Sequence, residues 1–134
     1  MNYQINMFAV LVAGIAHMGF GAVWYRLWQK RWTILVLHPD VSAENTSTSN
    51  SNYAIAMLNA LIVAYVLSQV VAAVGPSTFF QFITVGATCW FGFVATTMLT
   101  TTLFARRPKS LFLIDSIYYL ISFMLISGIY AYWL

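Results

Sequence analysis

Residues 78–109 read TFFQFITVGATCWFGFVATTMLTTTLFARRPK. No side chain from Thr78 to Phe104 carries a charge, and then Arg106, Arg107 and Lys109 arrive together. A hydrocarbon core about 30 Å thick needs about 20 apolar residues of helix to cross it. This run is longer, so it is expected to tilt or to begin as an interfacial turn. Thr78 and Gln81 have the spacing of a capping box, which sets the start of the helix. The basic turn sets its end.

Three further runs of this kind surround it. One extends from about Asn6 to Tyr25 and stops at Arg26. A second, Tyr53 to Val74, follows the polar tract 45–52 and closes at Gly75-Pro76. The last starts after Ser110, whose hydroxyl is placed to cap it, and continues to Trp133. The expected fold is therefore all-α: a single membrane domain in which four antiparallel transmembrane helices (about 6–25, 53–74, 78–104 and 111–133) form a bundle. The N-terminus lacks the basic region of a signal peptide, so the first run is expected to be retained.

The charges orient the bundle. Arg26, Lys30 and Arg31 lie between the first two spans, and Arg106, Arg107 and Lys109 between the last two. All six cations fall in loops that share one side, which the positive-inside rule assigns to the cytoplasm or matrix. Both termini are then outside. Trp24, Tyr25, Trp28 and Trp32 are placed to mark one interface, and Tyr130, Tyr132 and Trp133 the other. Trp24, Trp28 and Trp32 repeat at every fourth position, and the interleaved Arg26, Lys30 and Arg31 can reach phosphates. Residues 26–37, within the loop 26–52, thus read as a helix extension or a helix lying in the headgroups. The alternatives are a plain topological anchor or a surface for anionic lipid or a partner.

Composition agrees with lipid as the main solvent. Of 134 residues, 61% are hydrophobic and 7% charged, nine side chains in all, where a soluble chain of this length carries about thirty. The net charge of +3 is spent on the two basic clusters, and no nucleic-acid partner is expected. One cysteine, Cys89, excludes an intrachain disulfide framework. Two histidines, His17 and His38, cannot make a three-histidine zinc site. No glycine-rich phosphate loop, G-x-S-x-G or H-E-x-x-H appears. The triplet Asn45-Thr46-Ser47 matches a glycosylation sequon, discounted because its loop is expected on the cytoplasmic side.

Small residues recur at a spacing of four. The first span has Ala9, Ala13, His17 and Gly21. The second has Ala56, Ala60, Ala64, Ser68 and Ala72, and the third Thr84, Thr88, Gly92, Thr96 and Thr100. Lipid tails are as apolar as leucine, so membrane helices associate where small side chains let backbones approach and hydroxyls bond across the gap. A monomeric bundle can consume all three seams. Alternatively one is left over for a second copy or a foreign subunit.

Ionisable groups inside a membrane are functional candidates by default. His17 lies near the middle of the first span, on the face of Gly14 and Gly21. It reads as a neutral hydrogen-bonding group, with proton transfer or metal and haem ligation as the sharper alternatives. Asp115 is the only acid within a span. Its plain role is a salt bridge to the turn 106–109. The alternative sets it with Tyr118, Tyr119 and Ser122 at the mouth of a polar path.

Gly21-Ala22-Val23-Trp24-Tyr25 followed by Trp32 resembles the G-x-x-W-Y…W segment of the family called domain of unknown function 1761. Trp90-Phe91-Gly92-Phe93, then Phe104, a short basic turn, and Leu111-Phe112-Leu113-Ile114-Asp115-Ser116-Ile117-Tyr118 leading to a C-terminal Tyr-Trp, resemble its second half. The resemblance covers nearly the whole chain. It implies a small, largely bacterial integral membrane protein, with no catalytic residues to carry over.

The expected function is a non-catalytic interaction protein: an oligomeric or accessory subunit of a membrane assembly, with lipids, further copies or other membrane subunits as partners and no cofactor. Its expected location is the bacterial cytoplasmic membrane, with the mitochondrial inner membrane as the alternative. The alternative function is an oligomeric small-solute or proton-linked transporter or channel using His17 and Asp115. A membrane enzyme is not expected, because the only acid–base candidates, His17 and Asp115, are placed at different depths.

Overall fold

A computed structural model describes residues 5–36 and 50–133. Among them the regular structure is helical: α1 Met7–Val36, α2 Asn50–Val74, α3 Phe79–Phe104 and α4 Lys109–Trp133. Each contains a stretch long and apolar enough to cross a membrane. The side chain of Trp32, His38 and the sequon at Asn45 lie outside the described residues.

Local chemistry fixes the ends. Asn6 caps α1, its Oδ1 accepting from the N–H groups of Phe8 and Ala9 at 3.0 and 3.3 Å. No proline or glycine interrupts residues 22–36, so α1 does not stop at Tyr25 but carries the basic, Trp-rich segment as part of the same helix. Gly75 ends α2 in the left-handed region (φ 66°), its N–H donating to the Val71 carbonyl at 2.9 Å. At that dihedral glycine avoids the penalty of a Cβ. The capping box forms at α3: the Gln81 N–H donates to Thr78 Oγ1, and the Gln81 side chain accepts from the Thr78 N–H, both at 3.3 Å.

One expected cap is displaced. Ser110 lies inside the first turn of α4, and the opening acceptor is the Pro108 carbonyl, which takes the N–H groups of Leu111 and Phe112 at 3.2 and 3.4 Å. The ring of Pro108 already holds its φ near the helical value and has no N–H to leave unpaired, so the helix starts immediately after it.

The interior of α3 is not a regular α-helix. Residues Trp90–Ala95 form a π-helical stretch between α-helical pieces Phe79–Cys89 and Thr96–Phe104. Trp90 anchors it to α4, the indole N–H donating to the Ser116 carbonyl at 2.8 Å. Wide turns of this kind mark irregular packing and often functional positions.

Packing centres on α4, which approaches all three other helices closely; among the described residues the backbones of α1 and α3 do not come close to one another. The apolar core gathers Ala9, Val10 and Ala13 of α1, Leu67 and Val71 of α2, Phe82 of α3, and Ile126 and Tyr130 of α4. It therefore sits toward the end of the bundle where α1 begins and α4 finishes. Tyr130 belongs to this core and not to an interfacial belt: it is 1% exposed, and its hydroxyl donates to the Ala64 carbonyl. Small residues permit the closest approaches. A Cβ on Gly86 would lie 2.5 Å from the Phe123 carbonyl oxygen, and one on Gly14 would lie 2.6 Å from Leu61 Cδ2. The first of these meets backbone and the second a side chain; where lipid is the solvent, such close approach, and not expulsion of water, holds helices together.

Candidate functional site: a polar aromatic cluster and an outward seam

Beyond the apolar core, toward the basic connections, α1 and α4 meet through polar and aromatic side chains. His17 is buried, and its ring stacks on Tyr118 with centroids 5.5 Å apart and planes at 16°. Its Nδ1 and its own carbonyl oxygen each lie 3.5 Å from the Tyr118 hydroxyl. That distance is the outer edge of a hydrogen bond, so the stacking defines the contact. Gly21, one turn on, makes room for the phenol: a Cβ there would sit 2.7 Å from the Tyr118 hydroxyl. Phe20 stacks on the same ring at 5.6 Å, and Tyr25 meets it edge-on at 5.1 Å.

Tyr25 then reaches the carboxylate, its hydroxyl donating to Asp115 Oδ1 at 2.7 Å. Trp24 adds a second tie, indole N–H to Ile114 carbonyl at 3.2 Å. The expected setting of Asp115 was the turn 106–109. One hydrogen bond to its Oδ1 comes from α1, a contact the sequence did not point to. Arg107 shares with Asp115 the lining of one cleft between α3 and α4. His17 and Asp115 thus belong to one continuous cluster through Tyr118 and Tyr25. Among the described residues no three metal-ligating side chains converge, so the cluster offers stacking and hydrogen bonds.

The seams have different fates. Ala9 and Ala13 of α1 and Ala60, Ala64 and Ser68 of α2 are buried; Gly21 is half-buried, and Ala56 is exposed one turn before Ala60. On α3 the whole seam, Thr84, Thr88, Gly92, Thr96 and Thr100, is exposed, and a Cβ on Gly92 would meet nothing within 4 Å. The glycine of α3 that meets α4 is Gly86, which lies outside that pattern. Spacing of four slides about 40° per repeat around a regular helix of 3.6 residues per turn. The wider π turns at Trp90–Ala95 advance each residue less and oppose that slide, which helps hold the seam on one side. The hydroxyls of Thr84, Thr96 and Thr100 donate to the carbonyls of Phe80, Gly92 and Thr96 on their own helix, at 2.9, 2.8 and 3.0 Å. They can face lipid without an orphaned donor.

Along the extension of α1, Arg26, Trp28, Lys30 and Arg31 are exposed, and Trp28 lies beside Trp24 with ring centroids 5.9 Å apart. Trp24 itself turns inward to its bond with α4.

No curated protein and no solved structure matches the chain. The model of a protein family described as Protein of unknown function (DUF1761) matches residues 8–131, a span that holds the α1–α4 cluster, the seam of α3 and nearly all of the four helices, and the chain belongs to that family.

Proposed function

We propose that this is a non-catalytic membrane protein of the bacterial cytoplasmic membrane that self-associates through the outer face of α3. The observation that supports this is the mismatch between α3 and its surroundings. Within the most apolar stretch of α3 only 11% of residues are buried inside the chain, against 39% in α4. The exposed remainder includes a spacing-of-four seam with an unfilled glycine. Such a stripe is self-complementary. A two-fold axis through Gly92 sets each copy's small residues against the other's, the isologous contact that oligomers commonly use. In this reading the four helices run antiparallel with both termini outside. The exposed Arg26, Lys30 and Arg31, with Trp28, lie at the cytoplasmic headgroups and contact anionic lipid.

Substitution of Gly92 by Leu tests the proposal. Native mass measurement in mild detergent is expected to show wild-type assemblies of at least two chains and a monomeric variant with unchanged helicity. A wild-type monomer, or a variant that assembles as the wild type does, contradicts it. Fixed-stoichiometry recovery of a different membrane protein assigns the face to a foreign subunit instead.

A second reading, proton-linked transport by an oligomer, is favoured by one observation: the connected stacking of His17 on Tyr118 and the bond from Tyr25 to Asp115. Replacing His17 by Leu separates the two. Intact assembly with loss of a pH-driven flux supports transport; lost assembly with flux unchanged per surviving oligomer supports packing.

A further inference from the structure

All six lysines and arginines of the chain are exposed: Arg26, Lys30 and Arg31 on α1, Arg106 and Arg107 in the turn after α3, and Lys109 at the start of α4. The contacts of α1 with α4 bring them to one level. Phe8 meets Trp133, His17 stacks on Tyr118 and Tyr25 bonds to Asp115, so each step along α1 is matched by a step back along α4. Six residues separate Tyr25 from Arg31, and six separate Asp115 from Lys109. Both intervals are helical and rise about 9 Å, which sets Lys30 and Arg31 level with Lys109. The turn carrying Arg106 and Arg107 directly precedes Pro108 and Lys109. Its shape is held by the Arg107 N–H, which donates to the Thr102 carbonyl at 3.0 Å, after a left-handed Arg106 with φ 54°.

Two groups of cations therefore flank the first turn of α4, because α4 lies against both α1 and α3 while the backbones of α1 and α3 stay apart. Exposed apolar surface continues from each group into the span. Val23 and Leu27 share a helical face with Lys30 and Arg31, and Leu103 and Phe104 form the last turn of α3 just before Arg106 and Arg107; all four apolar side chains are exposed. At 30 residues, α1 is about 45 Å long against a hydrocarbon core of about 30 Å, so its basic end is carried out to the headgroups. Among the described residues the one acid is Asp115, inside the span. The charge of this end is strongly positive.

From this arrangement we infer that the basic end binds a glycerolipid with two phosphates, of the cardiolipin type. One phosphate rests on Lys30 and Arg31 and the other on Arg106 and Arg107, with the acyl chains of each half on the apolar surface below. Basic sites beside membrane helices on the cytoplasmic side suit such headgroups. A lipid with one phosphate satisfies one group of cations at a time, whereas a linked pair presents its second phosphate at high effective concentration. A soluble diphosphate would meet the cations but leave Leu27 and Phe104 uncovered. Binding of this kind deepens the lipid contact proposed above and rests on this end lying at the cytoplasmic headgroups. It does not depend on self-association through Gly92.

The test is native mass spectrometry of the full chain from phosphatidylcholine micelles doped with cardiolipin or with phosphatidylglycerol at equal total phosphate. Cardiolipin is expected to be retained about ten-fold more than phosphatidylglycerol, and to the same extent per chain by the Gly92→Leu variant. Two double substitutions at exposed positions, Lys30→Gln with Arg31→Gln and Arg106→Gln with Arg107→Gln, are each expected to bring cardiolipin down to the level of phosphatidylglycerol. Excess inorganic pyrophosphate should leave the bound lipid in place. Equal retention of the two anionic lipids, both above phosphatidylcholine, overturns the inference and leaves plain anionic-lipid contact standing. No preference for either over phosphatidylcholine overturns both. Cardiolipin retention indifferent to either double substitution also overturns the inference, as does displacement by pyrophosphate, which would give the cations to a soluble diphosphate.

Discussion

Tyr25, on the sixth helical turn of α1, donates its hydroxyl to Asp115 on the second turn of α4 across 2.7 Å, joining two residues ninety positions apart in the chain. The same phenol ring rests edge-on against Tyr118, which carries His17 on its face. The bond therefore does more than satisfy a carboxylate inside a membrane span. It fixes the register of α1 on α4 and connects His17 with Asp115.

Removing that hydroxyl should be costly. Tyr25→Phe retains the ring packing and deletes one hydrogen bond to a carboxylate, an interaction worth about 1.5–3 kcal/mol. Reversible unfolding in mixed micelles is expected to show a loss in that range. Phe20→Leu, which touches the same Tyr118 ring without a polar partner, serves as the packing control. A Tyr25→Phe protein as stable as the wild type would show that the bond contributes nothing net.

Gly86 and Gly92 should respond in opposite ways. A methyl on Gly86 would meet the Phe123 carbonyl at 2.5 Å, backbone that cannot rotate aside, so Gly86→Ala is expected to lower stability by about 1–3 kcal/mol. Gly92→Ala meets open space within the chain and should leave the stability of the monomer within about 0.5 kcal/mol. Unfolding of both variants under conditions that dissociate oligomers measures the difference; equal effects would mean that α3 does not approach α4 through Gly86.

Arg106 occupies the left-handed region at the end of α3, where a Cβ costs about 1–2 kcal/mol. Arg106→Gly relieves that strain and should stabilise the protein by about 1 kcal/mol in the same unfolding assay. A destabilised variant would show that the side chain of Arg106 contributes more than its backbone costs.

Much of this architecture is legible in the residues and part of it is not, for physical reasons. The ends of α3 follow from Thr78 and Gln81 and from the basic turn, because caps and charges act locally. The resemblance carried by Gly21-Ala22-Val23-Trp24-Tyr25 and Leu111–Tyr118 identifies the family. Which small-residue stripe meets a neighbour is not local information. The spacing from Thr84 to Thr100 is as regular as that from Ala60 to Ser68, yet one faces outward and the other inward. The choice rests on Gly86 and on the π turns after Cys89, and a run of residues with no proline gives no sign of them. Tyr25 was similarly hidden: beside Trp24 and Arg26 it reads as part of an interfacial belt, and only the approach of α4 turns it toward Asp115. Pro108 displaced Ser110 as the start of α4 because a fixed φ outweighed a hydroxyl cap.

Self-association along α3 is tested most directly by cross-linking in native membranes. In a background of Cys89→Ser, a single cysteine replaces Gly92 on the seam or, as control, Ile62 on the exposed face of α2, and the membranes are oxidised before detergent is added. A disulfide-linked dimer of this chain at position 92, with none at position 62, is the predicted result. Monomer at both positions, or equal cross-linking at both, would contradict it.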